Sequence, residues 1–289
     1  MIIRLKNADF SENNIGQVTI ILEDTKNIME AFGWKTSDAN FNRYAKAMQK
    51  FKEELNKAGL LSKIKALYLP FYAKESEKAF VNLAKTPYET SMEASNLDIS
   101  NFGAVPKDNT TSIIPGKDLE GIAQNNFHYL FFPTENFTKE KYSCGVYSTK
   151  TNMGLIYSVG YDANGPSNSN YKLNSVNAVW VKPETLSLYK IKGKNLTGYS
   201  FSPSSDYFTI YNPDQRNKVK GSIMDISNFS EWMGEPDATI FKKLSLSGYQ
   251  NMGWKVRQSL FSFGTYLSES EIVEFDRIIK EMLKSLGWS

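Results

Sequence analysis

A long region of short strands and turns, from residue 128 to residue 266, constrains the fold of this chain more than any other feature. Runs rich in β-branched and aromatic residues are separated by turn clusters such as DANGPSNSN and NPDQRN. No helical pattern interrupts these runs, so we expect a mainly β fold, a jelly-roll sandwich. The predicted strands are 128–134, 144–149, 154–162, 177–183, 186–191, 206–214 and 255–266.

Two amphipathic helices flank this region. The stretch TSDANFNRYAKAMQKFKEELNKAG carries apolar residues at helical spacing, with Ser37 or Asp38 available to cap its start. Near the C-terminus, SESEIVEFDRIIKEMLKSLG carries a second apolar stripe, and Ser268 and Glu271 have the spacing of a capping box. We therefore predict a helix before the β region and a closing helix after it.

The run KALYLPFYA, directly after the first helix, is dense in aliphatic and aromatic residues. It predicts a strand with Pro70 at an edge or a bulge, since proline cannot donate to a sheet ladder. We divide the chain into residues 1–60, an extended arm plus an amphipathic helix, and residues 61–289, the sandwich with its closing helix. The first segment is either a separate attachment module or packed on the sandwich.

The N-terminus reads as an apolar, extended segment. Ile3, Leu5 and Phe10 alternate with charged and polar residues in MIIRLKNADFSENNIG, which is the period of a half-buried strand. Such a segment requires a partner surface. We interpret it as a docking arm that adds a strand to a partner subunit or lies in its groove; pairing with an edge of its own sandwich is the alternative.

Composition excludes several classes of protein. The formal net charge of +3 over 289 residues is too small to indicate a nucleic-acid partner. No window approaches the roughly 18 apolar residues of a membrane span, and the N-terminus lacks a secretory pattern. Cys144 is the only cysteine, so no intramolecular disulfide and no cysteine-ligated zinc is expected. These features favour a protein made and kept in a cytoplasm.

Catalytic motifs are missing from the sequence. The pair Glu235 and Asp237 falls in a turn, and Glu274 and Asp276 fall on the closing helix, whereas sandwich-fold glycosidases need carboxylates on one strand. His128 is the only histidine, and we interpret it as a packed or solvent-facing strand residue and not as a general base. We predict no enzyme, no cofactor and no metal; loop oxygens at Asp162, Asn164, Asp206 and Asp214 leave only a weak case for calcium.

One loop combines aromatic and amide side chains, the composition of a glycan platform. The stretch VGYDANGPSNSNYKL offers Tyr161, Asp162, Asn164 and Tyr171, and Trp180 follows on a predicted strand. These residues are the candidates for sugar contacts. A solvated hairpin is the alternative interpretation, because the same residue types are ordinary turn formers.

The order of these signals resembles a known family. An opening LKNADFSENNIG, a helix ending in glycine, the run LLSKIKALYLPF, a long β region and a closing FSFGTYLSESEIVEFDRIIKEMLKSLG are similar to concanavalin A-like (laminin G-like) lectin-domain proteins of tailed phages. The likeness is to crAss-like and related phages of gut Bacteroidetes in particular. Leu60 stands where these relatives usually carry tryptophan. The resemblance lies in packing and caps, and no ligand-binding residue is carried over from it.

The resemblance implies a noncatalytic virion structural protein: a fiber, a head decoration or a tail component. Its sandwich would contact glycans or neighbouring subunits, and the protein would assemble in the bacterial host cytoplasm. Other virion proteins, further copies of this chain and host surface polysaccharide are the expected partners, with neither nucleic acid nor membrane among them. The alternatives are a glycan-degrading enzyme of the same fold and a bacterial cell-surface lectin.

Overall fold

The computed structural model describes residues 20–90, 97–100, 102–107, 126–135, 194–201 and 257–288, together with the backbone of short strands between residues 144 and 240. The described α-helices are α1 (Glu23–Ala31), α2 (Phe41–Lys57) and α3 (Glu269–Ser285). The strands are β1 (Ile64–Tyr68), β2 (Leu97–Ser100), β3 (Gly103–Pro106), β4 (Phe127–Pro133), β5 (Cys144–Ser148), β6 (Met153–Tyr157), β7 (Tyr171–Lys172), β8 (Trp180–Val181), β9 (Thr197–Phe201), β10 (Tyr207–Tyr211), β11 (Lys218–Lys220), β12 (Ala238–Ile240) and β13 (Gln258–Gly264).

Eight of the described strands form one antiparallel sheet. Its order is β11, β10, β9, β4, β13, β3, β2, and β1 also pairs with β13. Strands β12, β5 and β6 form a second, three-stranded sheet, and β7 pairs with β8. The expectation of an antiparallel β architecture with helices before and after it is confirmed.

Most of the predicted strand positions contain an observed strand. Hydrophobic alternation located the strands because one or both faces of each run must be buried. The predicted run 186–191 lies outside the described residues. The predicted runs that contain strands are 128–134, 144–149, 154–162, 177–183, 206–214 and 255–266.

Strand β13 lies at the centre of the large sheet. All seven of its residues are buried, including the polar residues Gln258, Ser259 and Ser262. One edge pairs with β4 over nearly the whole strand, and the other edge is shared by β1, at residues 261–264, and β3, at Gln258. The helix α3 follows directly after β13, so this strand positions the C-terminal helix on the sheet.

The strand predicted for KALYLPFYA is shorter than expected. Strand β1 ends at Tyr68, and Pro70–Tyr72 form a single turn of 3-10 helix with the proline at its start. The prediction of a strand running through Pro70 was therefore wrong. The fixed φ of proline suits the first position of a helical turn, and its missing N–H ends the ladder.

The first predicted helix is present as α2, with a different start. It begins at Phe41 after Asn40, whose side chain makes no capping hydrogen bond. The predicted cap at Ser37 or Asp38 is wrong, because the Asp38 carboxylate instead accepts a hydrogen bond from the Lys35 N–H at 2.9 Å. The predicted closing helix is present as α3, and the capping box of Ser268 is confirmed.

The helices and the large sheet share one hydrophobic core. Ile28 and Met29 of α1, Phe51 of α2 and Phe275 of α3 are buried in the same cluster as Phe261 of β13. The apolar stripes of α2 and α3 face each other and the sheet, which is the usual role of an amphipathic helix face. Helix α1 itself was not predicted, because its polar sequence EDTKNIMEA buries only three residues.

The outer edge of β1 is closed by the segment that carries Asn82. The Asn82 Oδ1 accepts from the N–H of Leu67 at 3.1 Å and from the N–H of Ala84 at 3.0 Å, and its Nδ2 donates to the Lys65 carbonyl at 3.2 Å. The N–H of Leu83 donates to the Leu67 carbonyl at 2.9 Å. The Asn82 amide thus replaces a peptide group of a neighbouring strand and satisfies the β1 edge.

Candidate functional site

The structure describes only part of the predicted glycan platform. Tyr161, Asp162 and Asn164 lie outside the described residues. Tyr171 begins β7 and Trp180 begins β8, and these two strands pair antiparallel, with Tyr171 opposite Val181. Tyr171 was predicted in a loop and instead stands on a strand, next to the strand that carries Trp180. The backbone pairing brings the two aromatic positions onto neighbouring strands.

The predicted docking arm precedes the described part of the chain. Ile3, Leu5 and Phe10 lie outside the described residues, which begin at Ile20. There the side chain of Ile20 is 71% exposed and that of Leu22 is 51% exposed, whereas Ile21 between them packs against the core. Among the described residues, these two are the exposed large apolar side chains. Ile20 and Leu22 therefore form an apolar surface next to the arm, and no described residue covers it.

Residues 20–24, which we call the root of the arm, are fixed to the helices. The Leu22 N–H donates to the Gln49 side chain of α2 at 3.0 Å. Two residues later, Asp24 of α1 accepts from the Lys52 ammonium group at 2.8 Å and from the Tyr88 hydroxyl at 2.7 Å. The Lys52 ammonium group also donates to the Tyr88 hydroxyl and lies 4.7 Å from the centroid of its ring. These contacts hold the exposed apolar residues at a defined place beside α2.

The Asp24 cluster is unsuited to proton transfer near neutral pH. Burial raises the pKa of the Asp24 carboxyl, but the hydrogen bonds from Lys52 and Tyr88 outweigh it and hold the pKa below its usual value. Burial and the bond to Asp24 raise the pKa of the Tyr88 hydroxyl well above its ordinary value. The carboxylate therefore stays charged and the phenol stays protonated. The cluster has a structural role: it joins Asp24 of α1, Lys52 of α2 and Tyr88 in the segment before residue 90.

His128 lies on β4, and of the two alternatives, a packed or a solvent-facing strand residue, the structure shows the packed one. Its side chain is fully buried, with Nδ1 at 2.5 Å from the Thr265 carbonyl oxygen and Nε2 at 2.9 Å from the Ser262 hydroxyl. Because a carbonyl only accepts, Nδ1 carries the proton and Nε2 accepts from Ser262. Burial lowers the pKa of the imidazole to about 4. The serine–histidine contact is out of reach of any substrate in this conformation.

The acid pair on the closing helix splits into two separate structural contacts. Glu274 pairs with Arg277 at 2.6 Å, and that hydrogen bond lowers the pKa of the Glu274 carboxyl. Asp276 faces the core, where burial raises its pKa while it accepts from the Leu196 N–H at 2.6 Å and pairs with Lys280 at 2.6 Å. Asp276 therefore attaches α3 to the start of β9.

Several sequence candidates lie beyond the described residues. Cys144 begins β5, where only the backbone is described. Within the described part of the chain, no group of three or more His, Cys, Asp or Glu side chains could hold a metal ion. Of the helices described, none is long and apolar enough to cross a membrane. The remaining candidates outside the described residues are Asp162, Asn164, Asp206, Asp214 and Glu235.

Sequence reasoning missed the residues at the root of the arm. Val18, Ile20, Ile21 and Leu22 form a further apolar run after the opening stretch, so an apolar signal was present beyond residue 16. It also missed the partners of His128, which stand more than 130 residues away along the chain. No local pattern could have identified those partners.

Comparison with known proteins finds no family model, no curated protein and no solved structure that matches this chain. The functional interpretation therefore rests on its own residues and geometry. The exposed large apolar side chains of the described residues are Ile20 and Leu22, which lie in the root of the arm, between the N-terminal stretch and the helices.

Proposed function

We propose that this chain is a noncatalytic structural protein of a phage virion, a fiber, head decoration or tail component, in which the N-terminal arm docks onto a neighbouring subunit. The observation that carries the proposal is the exposure of Ile20 and Leu22 directly after an arm with alternating apolar residues. Extended segments with apolar side chains bind partners by adding a strand to a sheet or by filling a groove. The resemblance to lectin-domain virion proteins supports the same role.

A second observation excludes one edge of the chain's own sheet, that of β1, as the partner of the arm. The outer edge of β1 is already satisfied by Asn82 and Leu83, so its Leu67 backbone groups are not available to an arm. The arm root is held beside α2 through Gln49 and Lys52. An extended segment that starts there meets no free backbone on the β1 edge.

We also propose an arrangement for the two larger sheets. We infer that the large sheet and the sheet of β5, β6 and β12 are the two layers of a jelly-roll sandwich. The antiparallel pairing within both sheets supports this, because the layers of such sandwiches are antiparallel sheets. The paired strands β7 and β8, which carry Tyr171 and Trp180, are the proposed site of glycan contact.

The arm can be tested with matched triple substitutions. The variant Ile3→Ser, Leu5→Ser, Phe10→Ser replaces the three apolar side chains proposed for docking by polar ones. Its control, Lys6→Ser, Asn7→Ser, Asp9→Ser, changes three polar positions of the same stretch. The readout is the mass of the full chain in solution, measured by light scattering after size-exclusion chromatography. We expect the native chain and the control variant to form an oligomer and the apolar variant to be a monomer. Equal masses for all three proteins would refute the proposal.

A further inference from the structure

The junction between β13 and α3 is held by polar side chains from three directions. The Thr265 carbonyl accepts from His128 of β4, and the Tyr266 N–H donates to the Asn126 side chain at 2.8 Å. Ser200 of β9 accepts from the Leu267 N–H at 2.8 Å and donates to the Leu267 carbonyl at 2.6 Å. The start of α3 is therefore anchored through the backbone of residues 265–267.

His128 is the one side chain among these anchors that changes its charge between pH 8 and pH 4. Asn126 and Ser200 are neutral throughout this range, and the sequence contains no other histidine. Two charged groups face the imidazole: the Glu271 carboxylate on α3 and the Lys63 ammonium group before β1, which pair with each other at 2.5 Å. Their opposite charges act on the imidazole in opposite directions, so burial dominates its behaviour.

The packing around the ring gives no room for a solvated cation. Gly264 stands directly against His128, and a Cβ added there would lie 2.7 Å from the His128 Cε1 atom and overlap the Lys63 carbonyl oxygen. The ring is fully buried and has backbone directly against it on one side. A protonated imidazole regains water only when residues 265–268 and the first turn of α3 move away.

We propose that His128 is an acid-operated latch, which holds the start of α3 on the sheet while the imidazole is neutral and releases it when the imidazole takes up a proton. In the latched form, the Nδ1–H group donates to the Thr265 carbonyl and Ser262 donates to Nε2. In the released form, the imidazolium is solvated and the Thr265 carbonyl has lost its donor. Release uncovers the apolar face of α3, including Ile272 and Phe275.

The direction of the pH dependence follows from linkage. The pKa of the imidazole is about 4 when enclosed, against 6.5 when solvated. The released form therefore binds more protons between these values, so the latch is fully effective above about pH 6.5 and weakens progressively down to pH 4. Relative to pH 8, the ratio of released to latched molecules rises about 30-fold by pH 5. The pKa of Glu271 is below its ordinary value of 4.5, so this carboxyl stays charged over that interval.

Hydrogen exchange of the full chain tests the latch. His128→Gln is the informative variant, because a glutamine amide can donate to Thr265 and accept from Ser262 but does not titrate. Exchange is measured at pH 8 and pH 5, corrected for the intrinsic rate, over residues 266–276, with the amides of α2 as the internal reference. We expect the native chain to lose about 30-fold protection in that segment at the lower pH and the variant to lose almost none. The same pH response in both proteins would overturn the proposal.

A second measurement needs no variant. Because His128 is the only histidine, a chain carrying ¹³C-histidine gives a single imidazole signal in its NMR spectrum. We expect this signal to stay in its neutral position from pH 8 to about pH 5, with the proton on Nδ1. A midpoint near 6.5, the ordinary value, would show a solvated ring and would overturn the latch even if the glutamine variant failed to fold.

Discussion

Replacing Asn82 by alanine removes the group that closes the outer edge of β1. Asn82 is 2% exposed, and its amide satisfies the N–H groups of Leu67 and Ala84 and the carbonyl of Lys65. Alanine offers no donor or acceptor, so these three backbone groups lose their side-chain partner. With a net value of about 1 kcal/mol for each of the three hydrogen bonds, Asn82→Ala should lower the free energy of unfolding by about 3 kcal/mol.

Urea unfolding of the full chain, followed by circular dichroism, measures this loss. Asn56→Ala is the matched control, because Asn56 is an exposed asparagine near the end of α2. We expect the control to change the free energy of unfolding by less than about 0.5 kcal/mol. We also expect the Asn82 variant to aggregate more readily, since the edge of β1 becomes available to another strand. A loss below about 1 kcal/mol for Asn82→Ala would refute the view that its amide substitutes for a neighbouring strand.

Three further substitutions test the region around α3 by urea unfolding. Gly264→Ala places a Cβ on top of the Lys63 carbonyl oxygen and should cost about 3 kcal/mol or more. Ser268→Ala removes the side-chain half of the capping box and should cost about 1 kcal/mol. Asp276→Asn keeps an acceptor for the buried Leu196 N–H and should change stability by less than about 1 kcal/mol, whereas Asp276→Ala should cost about 2 kcal/mol. An equal cost for the asparagine and alanine variants would contradict that role of Asp276.

Local sequence patterns predicted the elements that have one strongly apolar face. The stripes of α2 and α3 follow the helical period, and the capping box at Ser268 marked the start of α3 to the residue. Helix α1 was missed because Ile28 and Met29 are its buried large apolar residues, too few to give a periodic signal. Strand β1 was predicted too long because an apolar run continues past Pro70, where the backbone turns.

Long-range arrangement could not be predicted from the sequence. Strand β13 pairs with β1, β3 and β4, which stand between 125 and 200 residues earlier, and no local pattern specifies such neighbours. The same applies to the contacts of His128. The alternation in residues 1–16 is a local pattern and stays a prediction, whereas the exposure of Leu22 depends on how α1 and α2 pack.

The most direct test of arm docking is cross-linking between isotopically distinct copies of the full chain. Equal amounts of ¹⁴N and ¹⁵N protein are mixed, refolded together and treated with an amine-reactive cross-linker, and the cross-linked peptides that contain Lys6 are analysed by mass spectrometry. If the arm docks onto a neighbouring copy, the Lys6 cross-links should include peptide pairs with one ¹⁴N and one ¹⁵N member. If every Lys6 cross-link joins two peptides of the same isotope, the arm binds its own chain and the account is wrong.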